Sequence, residues 1–230
     1  IFRCQAMTCV TLAWAGMWSG VAIAADPAKG VSAICVQRVH PVLIRNEHNS
    51  LVQVVVDVTR PGLQAKQFTF SLLGTDDLGD IDSLRLYYSG EKQPAELDQI
   101  RSGINFSGDR QGVLTAMTGT SFGALAAPSG SPIFDGAQVL RKGRNVFWLS
   151  CTLRTGASLD HKLDAHCVTV VTSVGKVVPR DATPGIRKRI GFSLRQHYEN
   201  GVHTSRIPAL AMTPKGTLLC VYDMRRRKRR

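Results

Sequence analysis

The feature that most constrains the fold is a series of short apolar or alternating runs, separated by turn residues, between about residue 30 and residue 178. In residues 83–88, Leu84, Leu86 and Tyr88 lie on one face of an extended chain, so such a run would bury one side of a sheet. The other predicted strands are residues 51–59, 67–73, 112–118, 144–153 and 167–172. No amphipathic helix of convincing length is present, and residues 95–100 form at most one helical turn. About seven such strands predict an all-β sandwich, because two packed sheets hide two apolar faces.

Neighbouring aromatic residues raise the question of which face each one occupies. Phe147 and Trp148 lie on one predicted strand, where alternation sends them to opposite faces. One of them faces outward unless both faces of the sheet are covered. Burial statistics favour a core position for Trp148. Tyr87 and Tyr88 leave the same two options open.

The first 25 residues have the pattern of a secretory signal peptide. Arg3 precedes a largely apolar stretch over residues 6–22, and the small residues Ala22 and Ala24 follow. A membrane anchor is the alternative, but polar residues interrupt the stretch and it is shorter than the span of about 20 apolar residues. We therefore expect cleavage, a secreted or periplasmic protein, and no stable membrane insertion afterwards. The first residue is Ile1, which suggests that the 5′ end of the reading frame is incomplete.

The positive charge is concentrated at the end of the chain. Six of the 29 basic residues lie at positions 225–230. Removing those six and Arg3 from the formal net charge of +12 leaves +5 for the rest. The remainder has no interleaved aromatic and basic residues and no recognisable nucleic-acid module, so no nucleic-acid partner is predicted. The basic run is interpreted as a truncated or frame-shifted end.

Cysteine and histidine spacing gives no clear site. Export would permit disulfides among the four cysteines of the mature chain, but their spacing is irregular and free thiols are favoured. These cysteines are Cys35, Cys151, Cys167 and Cys220. A metal site could be drawn through His161, Asp164, His166 and Cys167, yet the spacing matches no usual zinc pattern. No metal and no cofactor are predicted.

The last thirty residues carry two short motifs in a fixed order. Arg206-Ile207-Pro208 is followed by a turn at residues 213–217, an apolar strand at residues 218–221, and then Tyr222-Asp223-Met224-Arg225. This order resembles the start of the catalytic β-propeller of bacterial exo-α-sialidases, the BNR or Asp-box neuraminidases. Residues 75–90, 143–150 and 163–167 are similar to the N-terminal domain that precedes the propeller in some of these enzymes.

The resemblance implies a domain order. A β-sandwich accessory domain would occupy residues 26–178, and an incomplete first part of a six-bladed β-propeller would occupy residues 190–230. Proline, glycine and a basic cluster at residues 187–189 favour a linker over residues 179–189, with the cluster as a solvated face. The chain would be C-terminally truncated.

The resemblance also implies a substrate site. Arg206 and Arg225 match two of the three arginines that hold the carboxylate of a sialic acid in the family. Arginine suits this partner because its planar fork donates two parallel hydrogen bonds and stays charged. Ser205 departs from the family, which usually has Phe or Tyr at this position. The serine is expected to weaken the packing around Arg206 without removing the arginine. The family's Asp general acid and base, Tyr nucleophile and Glu would all lie beyond residue 230, so no catalytic residue is expected within the chain.

Two functions remain open from the sequence. The first is the front part of a secreted exo-sialidase that acts on sialylated glycans, inactive by itself. The second is a non-catalytic, secreted, carbohydrate-binding β-sandwich. We expect the first.

Overall fold

The computed structural model of the chain describes residues 30–91, 119–195 and 199–226. Within these ranges the regular structure is β-strand, apart from two 3₁₀ turns at Leu78–Asp80 and Glu199–Gly201. The all-β prediction is therefore confirmed. The predicted signal peptide, the helical turn at residues 95–100, the strand at residues 112–118 and the last four basic residues lie outside the described residues.

The larger sheet contains six strands. They are β1 (Val31–Val36), β3 (Asn49–Val58), β5 (Ile81–Gly90), β6 (Thr120–Ala126), β8 (Gly143–Leu153) and β12 (Arg180–Asp181). Their order is β12-β1-β3-β8-β5-β6. Neighbouring strands are antiparallel, except that β12 runs parallel to β1.

A four-stranded antiparallel sheet packs on the larger one. Its strands are β4 (Gln64–Ser71), β7 (Ile133–Val139), β10 (His166–Thr172) and β11 (Gly175–Val177), in the order β11-β10-β4-β7. Phe68 of this sheet is fully buried, and its ring centroid lies 4.5 Å from that of Phe147 and 5.1 Å from that of Phe122. Because Phe122 and Phe147 belong to the larger sheet, these contacts join the two sheets into a sandwich.

The two faces of the larger sheet separate the neighbouring aromatic residues. Phe147 and Tyr88 belong to the main core between the sheets. Trp148 and Tyr87 form a second cluster on the outer face, with stacked rings 4.9 Å apart. Trp148 is only 2% exposed, so its predicted burial is confirmed, although it lies outside the main core. The larger sheet therefore buries aromatic side chains on both of its faces at these positions.

A third, small sheet changes the interpretation of the predicted linker. It consists of β2 (Val42–Ile44), β9 (Lys162–Leu163) and β13 (Lys188–Phe192), with β13 parallel to β2 and antiparallel to β9. Residues 180–181 also pair with β1. Residues 179–189 thus contain β12 and the first two residues of β13, both paired with earlier strands of the chain, and the pairing extends past the boundary expected at residue 178. The proline and glycine residues mark turns between these short strands.

The basic cluster at residues 187–189 is not uniformly solvated, contrary to the sequence-based expectation. Lys188 is 1% exposed, and its Nζ donates hydrogen bonds to the carbonyl oxygens of Arg38 at 2.6 Å and His40 at 3.2 Å. Arg187 forms an ion pair with Asp76, and Arg189 is exposed. Backbone carbonyls brought close by the β2–β13 pairing therefore satisfy the buried ammonium group.

The four cysteines of the described chain are free thiols. Cys35, Cys151 and Cys167 are buried and Cys220 is exposed. Burial raises the pKa of Cys35 to about 12. Among the described residues, no helix has the length and apolar character needed to cross a membrane.

Candidate functional site

The two predicted substrate-binding arginines lie on a β-hairpin after the sandwich. Its strands are β14 (Thr204–Met212) and β15 (Leu218–Arg225), which are antiparallel. The turn is closed by Thr213: its N–H donates to the Thr217 carbonyl at 2.9 Å, and its hydroxyl accepts from the Thr217 N–H at 3.0 Å. Gly216 has φ +82°, a conformation that glycine adopts without steric cost. The sequence Thr-Pro-Lys-Gly-Thr therefore specifies this turn locally.

The register of the hairpin places both arginines on one face. Arg206 is directly opposite Asp223, and Thr204 is directly opposite Arg225. Residues two apart on a strand share a face, and directly opposite residues also share it. Arg206 and Arg225 are therefore diagonal neighbours, with Asp223 next to both. The structure thus brings the two predicted site residues together.

Asp223 links the pair electrostatically. An Arg225 Nη2 donates a hydrogen bond to Asp223 Oδ2 at 3.3 Å, and the two side chains are 33% and 55% exposed. An ion pair this exposed contributes at most about 1 kcal/mol to stability. Its main effect is to orient the Arg225 guanidinium along the face that Arg225 shares with Arg206, which we call the arginine face. Asp223 itself lies within β15.

A β-bulge follows Arg206 directly. Between Arg206 and Ala209 the first strand advances three residues while the second advances two. Ile207, inside the bulge, has φ +52°, which is strained for a β-branched residue. Pro208 cannot donate a ladder hydrogen bond, so a bulge accommodates it. Bulges re-aim neighbouring side chains, and this one changes the course of the strand next to Arg206.

The opposite face of the hairpin carries different groups. Tyr222 and Ser205 lie there by alternation. The Tyr222 hydroxyl accepts a hydrogen bond from Arg195 Nε at 2.7 Å. Ser205, the departure from the family pattern, is exposed and pairs with Met224. Its replacement of an aromatic residue therefore alters the back of the hairpin and leaves Arg206 on the arginine face.

Most apolar side chains of the hairpin are exposed to solvent. The exposed residues, each about half to three-quarters accessible, are Ile207, Leu210, Met212, Leu218, Leu219, Val221 and Met224. A two-stranded hairpin cannot bury its own faces. These side chains are therefore available for packing against further structure.

The possible metal donors named in the sequence are not gathered into one site. In the described part of the chain, the group that could hold a cation is Asp77, Asp80 and His161, without Asp164, His166 or Cys167. His161 Nδ1 lies 2.7 Å from Asp80 Oδ2, and this hydrogen bond raises the pKa of His161. Asp80 Oδ1 also accepts the Ser158 N–H at 3.0 Å. These carboxylates serve local hydrogen bonds, and no metal is assigned.

Comparison with known proteins identifies the sandwich. Residues 31–176 match the family described as the N-terminal domain of BNR-repeat neuraminidase. The chain belongs to this family. The matched residues run from the first strand of the sandwich into β11, so this N-terminal domain covers the two packed sheets except for β12.

Two proteins that are similar to this chain are named as sialidases. A Sialidase of Bacteroides fragilis (strain YCH46) is 28% identical over 192 residues, which cover 80% of this chain and 35% of the relative. The solved structure of the Hadza microbial sialidase Hz136 matches with a TM-score of 0.63 and 24% identity, covering 83% of this chain and 37% of that one. At that identity the structural match shows the fold. The chain spans a little over one third of each relative's length.

Proposed function

We propose that this chain is the front part of a secreted exo-α-sialidase, a glycosidase that releases terminal sialic acids from glycoconjugates. In this proposal, Arg206 and Arg225 supply two of the three guanidinium groups that hold the sialic acid carboxylate. The hairpin that carries them is the beginning of a six-bladed β-propeller. The chain alone does not hydrolyse sialosides, because the Asp, Tyr and Glu expected from the family would lie beyond residue 230.

The observation that carries the proposal is the shared face of Arg206 and Arg225. They are 19 positions apart in the sequence, and the β14–β15 register makes them neighbours. A single carboxylate has two oxygens and about four lone-pair sites, so it can accept from both guanidinium groups. Membership of the BNR-repeat neuraminidase family supports a sialic acid as the source of that carboxylate.

The hairpin also suggests how the arginines would be held for binding. Asp223 orients Arg225 through a hydrogen bond, and the bulge at Ile207 fixes the strand beside Arg206. A guanidinium group that is already oriented, as in Arg225, would bind the carboxylate with less loss of side-chain freedom than a mobile one. The exposed apolar side chains of the hairpin would pack against the next blade of the propeller.

The test uses the complete gene product and alters one arginine at a time. Arg206→Ala and Arg225→Ala should each lower kcat/KM for a sialoside by about tenfold to a hundredfold, the effect of losing a hydrogen bond to a charged group. Lys215→Ala is the matched control, because Lys215 is an exposed cation at the turn of the same hairpin. It should leave kcat/KM unchanged.

A second substrate separates carboxylate binding from damage to the fold. With a sialoside whose carboxyl group is a methyl ester, the anionic partner is gone. The wild-type enzyme should act poorly on the ester, and each arginine substitution should then have little further effect. Equal losses on acid and ester would contradict a carboxylate-binding role for these arginines.

A further inference from the structure

Two cysteines meet inside the sandwich. Cys35 lies on β1 of the larger sheet, and Cys167 lies on β10 of the four-stranded sheet. The two strands contact each other across the core, and the two residues belong to that core, with 1% and 4% of their surface exposed. They are 132 positions apart in the sequence. The packing of the two sheets therefore brings them together.

The contact between the two cysteines is direct. The backbone N–H of Cys167 donates to the sulfur of Cys35, with 3.4 Å between nitrogen and sulfur. Because the nitrogen is about 1.46 Å from its own Cα, the Cys35 sulfur is at most about 4.9 Å from the Cα of Cys167. In a disulfide the Cα atoms are usually about 4.4–6.8 Å apart, with both sulfurs between them. The Cys35 sulfur is therefore within reach of a second sulfur carried on that Cα.

The sulfur of Cys167 makes a hydrogen bond that is easily exchanged. It donates to the Thr169 carbonyl oxygen at 3.6 Å, and a thiol is only a weak donor. The register of β10 shifts between Cys167 and Thr169, as at a bulge, and bulges re-aim neighbouring side chains. A rotation about the Cα–Cβ bond of Cys167 would replace this weak interaction by a covalent bond to Cys35.

The other two cysteines are placed differently. Cys151 lies on β8, two strands away from β1 in the same sheet. At a strand spacing of about 4.8 Å, it is more than about 9 Å from Cys35, beyond the limit of about 7 Å between the Cα atoms of a disulfide. Cys220 is exposed on the β14–β15 hairpin, whereas Cys35 is buried in the core. Cys167 is therefore the partner that the fold gives to Cys35.

We propose that Cys35 and Cys167 form a disulfide that links the two sheets when the chain folds with an organic disulfide, such as glutathione disulfide, as oxidant. The structure describes the reduced form, in which both are thiols. The Cys35 thiolate attacks glutathione disulfide, and one glutathione thiolate leaves. The Cys167 thiolate then attacks the Cys35 sulfur of the mixed disulfide, and the second glutathione thiolate leaves. The cysteines lose two electrons and two protons, which the oxidant takes up as two thiols.

Burial sets the stage of folding at which this bond forms. It raises the pKa of Cys35 to about 12 and also raises the pKa of Cys167, so the folded, reduced chain contains little thiolate. Because the thiolate is the attacking form, both thiols of the folded, reduced chain are protected from external reagents. The bond therefore forms while the two sheets assemble, and the closed core then protects it from reductants.

This crosslink goes beyond the proposed sialidase activity and involves neither Arg206 nor Arg225. The proposed export would place the chain in a compartment where disulfides persist. The bridge would close a long loop, because its ends are 132 positions apart. Long loops confine the unfolded chain most, so the bond should stabilise the sandwich clearly.

The test follows the thiols of the 230-residue chain. The chain is reduced and unfolded, refolded with reduced and oxidised glutathione, and then unfolded again in the presence of N-ethylmaleimide, which blocks every remaining thiol. Peptide mapping by mass spectrometry without reduction resolves all six cysteines. We expect the peptide with Cys35 to be joined to the peptide with Cys167, and Cys151 and Cys220 to carry the maleimide.

Thermal unfolding with and without a reductant measures the effect of the bond. Reduction should lower the Tm of the wild-type chain by about 10 °C, from the loop length and the size of the chain. Cys167→Ser should show no such difference between its two forms, whatever its own stability. Cys151→Ser is the matched control, because Cys151 is also a core thiol with 1% exposure. It should keep the wild-type difference.

Three outcomes would overturn the proposal. These are maleimide on both Cys35 and Cys167 after oxidative refolding, a bond from Cys35 to a different cysteine, or an equal effect of reduction on the Tm of wild type and Cys167→Ser. A failure here leaves the arginine proposal standing, because that one is tested by hydrolysis with Arg206 and Arg225 variants.

Discussion

Phe68→Ala should remove a large part of the stability of the sandwich. Phe68 is fully buried, and its ring lies 4.5 Å from Phe147, 5.1 Å from Phe122 and 6.3 Å from Phe70. Burial of such a ring contributes about 1.5–3 kcal/mol, and each favourable aromatic pair adds about 0.5–1.5 kcal/mol. We expect a loss of about 3–5 kcal/mol in the free energy of unfolding, as for other buried Phe to Ala changes.

The assay is a urea titration followed by far-ultraviolet circular dichroism. Phe192→Ala is the matched control, because Phe192 is 47% exposed and its ring centroid lies 5.6 Å from Cζ of Arg45, a cation–π contact. Its loss should stay below about 1 kcal/mol. If Phe68→Ala cost no more than Phe192→Ala, the two sheets would not pack on each other through Phe68, and the sandwich described here would be wrong.

Three further predictions concern local chemistry and order. The hydrogen bond with Asp80 raises the pKa of His161, and the stability it contributes is fully present below the pKa of the unfolded state, about 6.5. The protein should therefore become less stable as the pH rises through the folded-state pKa of His161. His161→Gln should reduce this pH dependence in unfolding titrations. A thiol reagent should modify exposed Cys220 in the folded protein and Cys35 only after unfolding, as read by peptide mass spectrometry; modification of both at one rate would refute the burial. Amide exchange should be fast across β14 and β15 and slow in β3 and β8, whereas uniform protection would contradict the weak hold on the hairpin.

The sequence predicted the faces of the central strands correctly because the period of two is a local signal. Leu84 and Leu86 alternate with polar residues, and they enter the core together. The hairpin turn could also be predicted from the sequence, since Gly216 and its neighbours specify it within five residues. The proximity of Arg206 and Arg225 came from a family resemblance and is now explained by the register of the hairpin.

Other features depend on contacts distant in sequence. The parallel pairing of β13 with β2 joins segments about 148 positions apart, as the Lys188 bond to His40 shows, and no local pattern encodes it. The burial of Lys188 follows from that pairing. Because no local pattern shows the pairing, the sequence alone predicted a solvated basic cluster. The bulge at Ile207 combines a left-handed conformation with a β-branched residue, which propensity alone would not place there.

A cleft lined by polar side chains on the outer face of the larger sheet was also not predicted, although part of its signal is present in the sequence. Ser83, Arg85 and Tyr87 are the residues of β5 that alternate with the core positions. The sequence shows that they share a face, but it does not show that Ser150 lies opposite Arg85 or that Glu47 lies beside the same cleft. Those relations come from strand register and a loop contact.

The most direct measurement compares sialic acid release by the complete gene product with release by the 230-residue chain, under the same conditions and at equal molar concentration. We expect the complete product to hydrolyse a sialoside and the chain alone to show no activity above background. Release by the chain alone, or no release by a folded complete product, would contradict the proposal that this chain is the substrate-binding front part of an exo-α-sialidase.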